Sequence, residues 1–232
     1  PTDLCSNKEV ILTDASSVDV GRLIRVEIYW DYLNDPTRKT VDDNPVAGKT
    51  YTYKYPEFGT PLTKDYQVRY VVYSGITCLN QSTATITLKA SPGIQFDEMG
   101  GVCEEITPFQ VISARETFGL NGNGVFSGNG ISSTGLFTPK DAKPGMHTIR
   151  YTFNASNGCT AFADQTIQVY PTPLVDAGPD RVVLEGGYVT IQTKITGNDL
   201  SYMWTPSIGL NNSKIANPQA APPADQEYLL TV

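Results

Sequence analysis

Residues 124–169 read GVFSGNGISSTGLFTPKDAKPGMHTIRYTFNASNGCTAFADQTIQV, and the rest of the chain is organised around them. The second half of the stretch predicts strand, turn, strand. Ile149, Tyr151 and Phe153 alternate with Thr148, Arg150 and Thr152, the period of a half-buried strand. Asn154-Ala155-Ser156-Asn157-Gly158 then supplies turn chemistry. The next strand opens at Cys159 and carries Ile167 and Val169. All three are odd-numbered, which predicts that the cysteine points into the core with the apolar residues.

The same construction occurs earlier. Val68, Tyr70 and Val72 lead through Ser74-Gly75 to Cys78, then to Ile86 and Leu88. Counted from the cysteine, the apolar positions fall at −10, −8, −6, +8 and +10 in both copies. Matching spacing on both sides of a turn predicts an internal repeat of whole β-domains. A chain of 232 residues then holds about three small modules, each with a modest core. The content of Gly 20, Pro 16 and Tyr 13 suits many short strands and turns. No amphipathic helix of three turns is expected.

Net charge is −7, from 17 basic and 24 acidic residues. Without a basic stripe, nucleic acid is not an expected partner. No apolar run approaches the length of a membrane span. The chain opens on Pro1-Thr2-Asp3 with neither Met nor signal peptide, so a processed form or an excised piece is expected.

The second unit, with GVFSGNG, GLFTP, PGMHTIRYTF and NGC, resembles the immunoglobulin-like repeats of large Bacteroidetes surface proteins. The first unit resembles a polycystic-kidney-disease (PKD) domain through Leu12-Thr13-Asp14-Ala15-Ser16, Trp30-Asp31, Asn44-Pro45, Asp65-Tyr66-Gln67-Val68 and the Cys78 hairpin. The third resembles a PKD-like module through Val175-Asp176-Ala177-Gly178-Pro179-Asp180, Tyr202-Met203-Trp204 and Tyr228-Leu229-Leu230. The resemblance covers nearly the whole chain. It implies an all-β fold of tandem immunoglobulin-like (PKD-like) β-sandwich domains in an extended array. The expected domains are 1–90, 91–171 and 172–232, the last missing its final strand. The first unit departs from the PKD pattern after Trp30-Asp31, where the usual glycine is absent and residues 34–48 read as a long charged loop.

Four cysteines divide two and two. Cys5 and Cys78 bracket the first unit, and Cys103 and Cys159 the second. With no C-x-x-C and one histidine, zinc is not expected. One disulfide per module, Cys5–Cys78 and Cys103–Cys159, is the expected pairing, in an oxidising compartment. Each would close a loop worth roughly 4 kcal/mol by chain entropy.

Several residues invite a chemical reading. Tyr51, Tyr53 and Tyr55 alternate with Thr52 and Lys54, so one strand face is all tyrosine, either core cover or a sugar platform. Gly119, Gly122, Gly124, Gly128, Gly130 and Gly135 are read as turn glycines, since no G-K-[ST] follows. His147, the only histidine, has no nucleophile elbow to serve. Glu104-Glu105 and Asp42-Asp43 are adjacent, so on a strand their side chains face opposite ways. Asp31, Asp35, Asp42 and Asp43, or Asp176 and Asp180, are the carboxylates that could gather around calcium, without an EF-hand spacing. Asn80, Asn154 and Asn211 open N-x-[ST] triplets, without meaning in a bacterial protein. No catalytic residue, metal or cofactor is assigned.

The expected function is non-enzymatic: an extracellular, cell-surface or secreted repeat region acting as adhesin or stalk. The resemblance implies adhesion or gliding motility and type IX secretion. The rival is a carbohydrate-binding or spacer region of a secreted hydrolase. The expected partner is a protein or glycan on a surface. A strand donor is also expected at the edge near Val232, because Tyr228, Leu230 and Val232 match Ile149, Tyr151 and Phe153 but no closing strand follows.

Overall fold

The computed structural model describes residues 4–197 and 199–232. The turn expected at Gly197-Asn198 involves Asn198, which lies outside the described residues, as do Pro1-Thr2-Asp3. The fold is all-β, with a single four-residue helix among the described residues, and its ladders fall into three groups along the chain. Among the described residues no helix is long and apolar enough to cross a membrane.

The first group comprises β1 (Leu4–Cys5), β2 (Glu9–Thr13), β3 (Arg25–Asp31), β4 (Asp35–Asp42), β5 (Thr50–Lys54), β6 (Thr63–Tyr73) and β7 (Leu79–Lys89). One sheet runs β1-β7-β6-β3-β4, and β2-β5 packs over it. Alternation decides the buried face. Val26, Ile28 and Trp30 of β3 are fully buried and meet Val10 of β2, Tyr51 of β5, Val68 of β6 and Leu88 of β7. The segment read as a long loop contains β4, paired antiparallel with β3. Its charged residues suit an edge strand, whose outer side faces water.

The second group comprises β8 (Ile94–Phe96), β9 (Val102–Cys103), β10 (Phe109–Gln110), β11 (Ala114–Glu116), β12 (Gly122–Gly128), β13 (Leu136–Phe137), α1 (Pro139–Ala142), β14 (Gly145–Ala155) and β15 (Thr160–Tyr170). Its main sheet runs β12-β14-β15-β9, with β8-β11 and β10-β13 completing the sandwich. Phe137, Ile149, Tyr151, Phe153, Ile167 and Val169 are buried together. The two hairpins share one register. Ser74 N–H donates to the Cys78 carbonyl at 3.0 Å, and Ala155 N–H to the Cys159 carbonyl at 2.9 Å. Of the six glycines read as turns, Gly119, Gly128, Gly130 and Gly135 have positive φ, whereas Gly122 and Gly124 do not. Those two lie in β12, where the rings of Phe153 and Tyr151 occupy the space a Cβ would need.

The third group comprises β16 (Leu174–Asp176), β17 (Val189–Thr190), β18 (Lys194–Thr196), β19 (Met203–Thr205), β20 (Gln219–Ala220) and β21 (Leu229–Thr231). They form three two-stranded ladders, β16-β18, β17-β20 and β19-β21. Among its described residues only Trp204, Pro218 and Ala220 are buried.

Candidate functional site

The feature of the surface with the most built chemistry is the junction between the first two groups. Cys5 and Cys159 are joined by a disulfide, with Cα atoms 5.7 Å apart. This corrects the expected pairing. Cys5 stands opposite Lys89, at the end of β7, whereas Cys78 immediately precedes its start at Leu79. Eleven strand residues separate those two places. That is about 35 Å at the usual rise, far beyond the reach of a disulfide. Cys103 stands opposite Tyr170, at the end of β15, and Cys159 immediately precedes its start, so the same length excludes Cys103–Cys159. Cys78 and Cys103 are free and exposed. Cys159 is fully buried, as its parity predicted, but it is covered at a junction between groups.

Hydrogen bonds frame the disulfide. Asn7 Nδ2 donates to the Thr160 carbonyl at 2.8 Å, and Asn7 N–H donates to Ser91 Oγ at 2.9 Å. Asn157 Nδ2 donates to the Ala90 carbonyl at 2.8 Å, while its Oδ1 accepts from Cys159 N–H at 3.0 Å. Phe58 packs against both buried cores. Gly59 lies so close to Phe118 that a side chain there would collide with the Cβ and ring of Phe118. The short junction before β8 is therefore part of a packed contact. Asn7 and the reach of Asn157 across the junction were not legible in the sequence, because the bonds that cross it join residues 67 or more positions apart.

The tyrosine face points inward. Tyr55 is buried and its hydroxyl donates to the Trp30 carbonyl at 2.6 Å. Tyr53 stacks on Trp30 with ring centroids 4.8 Å apart, and Tyr51 donates to Asp42 at 2.7 Å. These rings cover the core and form no sugar platform.

The acidic candidates do not converge. Asp31 accepts from Asn34, Asp35 from Thr37, and Asp43 faces Arg25 at 3.5 Å. Asp42 is held by Lys49 at 2.7 Å and by Tyr51, which lower its carboxyl to about 2. Asp176 accepts from Gly178 N–H at 2.9 Å within its own turn. No group of three metal-capable side chains occurs among the described residues. A polar cluster the sequence did not single out surrounds Glu27. It accepts from Tyr29 at 2.6 Å and pairs with Arg25 at 2.8 Å and Lys39 at 3.4 Å. The Tyr29 hydrogen bond is the main cause lowering its carboxyl below the ordinary range, helped by Lys39 and Arg25. Its signal in the sequence was an acid between Val26 and Ile28, inside β3. His147 makes a 2.7 Å contact through Nε2 with the carbonyl of Lys143, which has φ 67°. Its partner belongs to the turn before β14, a strand-start role. Glu105 lies 3.9 Å from Lys140, an exposed pair.

No family model matches this chain. No curated protein matches it either. Solved structures with similar folds include fibronectin(III)-like modules of Clostridium thermocellum CbhA. These are 12% identical, with a TM-score of 0.31, 73% of this chain covered and 90% of that one. Extracellular domains 3–5 of Drosophila OTK are 12% identical, with a TM-score of 0.34 and coverage of 94% and 83%. Immunoglobulin domains 1–5 of Sidekick-1 are 13% identical, with a TM-score of 0.32 and coverage of 98% and 56%. At such scores the likeness carries no argument, and the fold stands on the ladders.

Proposed function

We propose that these residues are a non-enzymatic, extracellular repeat region of a large bacterial surface or secreted protein, acting as an adhesin or stalk. The modules are 1–90, 91–171 and 172–232. The observation that carries the reading is the Cys5–Cys159 clamp, which crosses from the first module to the second. A disulfide persists in an oxidising compartment, and one that spans a junction resists hinging between modules. The PKD-like and immunoglobulin-like motifs support a Bacteroidetes setting, with adhesion or gliding motility as the task and type IX secretion as the route. The partner is a protein or glycan on a surface, and the edge near Val232 is open to a strand donor. Small-angle scattering tests the stalk. The oxidised protein should show a maximum dimension well above that of a compact globule of this mass. A compact particle would mean that the modules fold back on each other, and the spacer role would lose its support.

A further inference from the structure

Cys5 and Cys159 are 154 positions apart in sequence, and their Cα atoms are 5.7 Å apart in space. The bond is therefore a covalent short cut from the start of the first group to the last strand of the second. It omits 153 residues, one fewer than the separation of its ends. Without the bond, tension applied across the chain passes through every residue of both groups. With it, tension that enters before Cys5 and leaves after Cys159 crosses two sulfur atoms instead. The loop between the cysteines stays slack, and a slack loop bears no load.

Little else of the two groups stands on that path. Of the first group only β1 lies on it, two residues long and ending at Cys5. In the second group the path enters at Cys159 and follows β15 from the junction to Tyr170, at the far end. The third group then begins at Leu174. The eleven residues of β15 span about 35 Å as a strand, close to the greatest length that eleven residues can reach. Tension at its two ends runs along its own backbone and cannot lengthen it appreciably. Its neighbours β14 and β9 are left unloaded, and Ile167 and Val169 stay seated in the core.

The third group has no such short cut, since residues 172–232 contain no cysteine. Tension passes through each of them, and among the described residues only Trp204, Pro218 and Ala220 are buried there.

We propose that the Cys5–Cys159 bond is a load bypass set by redox state. While it is closed, tension along the chain is carried by β1, the disulfide and β15, and the rest of the first two groups keeps its fold under pull. Reduction puts residues 6–158 on the load path and turns them into extensible length. A dithiol is the class of reductant that opens the bond. One of its thiolates attacks the sulfur of Cys5, which is half-buried, whereas Cys159 is fully buried. Cys159 leaves as a thiolate with the bonding electron pair and takes up a proton. The second thiol of the reductant then displaces Cys5 in the same way, and the reductant departs as a cyclic disulfide. The inference deepens the stalk reading above and rests on it for its purpose, though not for its test.

The test is single-molecule pulling of the 232-residue protein in an optical trap, with handles at its two termini. In the oxidised protein the length released should come from residues 171–232 alone, at most about 220 Å. Adding dithiothreitol to the same held molecule should release a further length of about 500–550 Å, that of residues 6–158, and raise the total more than threefold. The double variant Cys5→Ser, Cys159→Ser should give the longer release without reductant. Replacing Cys78 and Cys103 by Ser should change neither length, because both are free. Release of well over 220 Å from the oxidised protein, no added length after reduction, or a bypass that depends on Cys78 or Cys103 would each overturn the proposal. Scattering and pulling can fail separately. A compact particle would remove the stalk and leave the bypass, whereas long release from the oxidised protein would remove the bypass and leave the stalk.

Discussion

The second and third groups of strands share a ladder plan and differ in what that plan covers. In the second, Phe137, Ile149 and Val169 are sealed from water between complete sheets. In the third, Tyr228, Leu230 and Val232 lie on the same kind of face but are only half-buried. Among the described residues the third group has no counterpart of β15 and of its short parallel partner β9. Pairing two strands satisfies backbone groups locally. Covering a side chain takes neighbours on every side, and each fully covered aliphatic or aromatic side chain contributes about 1.5–3 kcal/mol. The third group has its register without most of that contribution.

The comparison can be broken most forcefully at Phe137. Phe137→Ala should cost about 3–5 kcal/mol, because the ring is fully buried and its removal leaves a cavity. The second group's melting transition should fall toward that of the third, and its β14 amides should exchange as β21 amides do in the intact protein. Unchanged calorimetry would mean that the second core does not depend on this seal. Next in size is the junction. Reducing Cys5–Cys159, or replacing both residues by Ser, should cost about 2–4 kcal/mol, typical of a native bridge. It should also separate the first and second groups into independent transitions; one unsplit transition would show that the packed contact suffices.

A smaller effect sharpens the same point. Asn157→Ala removes the bonds to Ala90 and Cys159 and should cost about 1–2 kcal/mol, read as a lower denaturant midpoint at constant slope. The smallest concerns the first group, as a reference for both. The carboxyl of Asp42 is held at about 2 by Lys49 and Tyr51. A depressed folded value stabilises above the ordinary carboxylate value of about 3.9, and that stability is lost as pH falls through the folded value. Asp42→Asn should therefore flatten the acid limb of the stability profile between about pH 4 and about pH 2. An unchanged limb would assign the loss to other carboxylates.

Much of this architecture was legible before any coordinates. The alternation in 149–153 and in 51–55 located β14 and β5, because strand periodicity is written residue by residue. Equal spacing about Cys78 and Cys159 located the two hairpins, and their hydrogen-bond registers agree. Trp30 and Trp204, which the resemblance placed in its motifs, are both buried. Residues 34–48 were misread because β4 is an edge strand, whose charges imitate a loop. The tyrosines of β5 could be sorted into core cover only once Trp30 was seen beneath Tyr53.

The sequence by itself thus determined the strands, their faces and the repetition of one hairpin, all set by side chains a few residues apart. The tertiary structure alone decided which cysteine meets which. A parity rule fixes the side of a sheet on which a thiol lies but not the end of the strand at which it sits. Eleven residues of β7 carry Cys5 away from Cys78, and the stacking of the second group on the first brings it to Cys159.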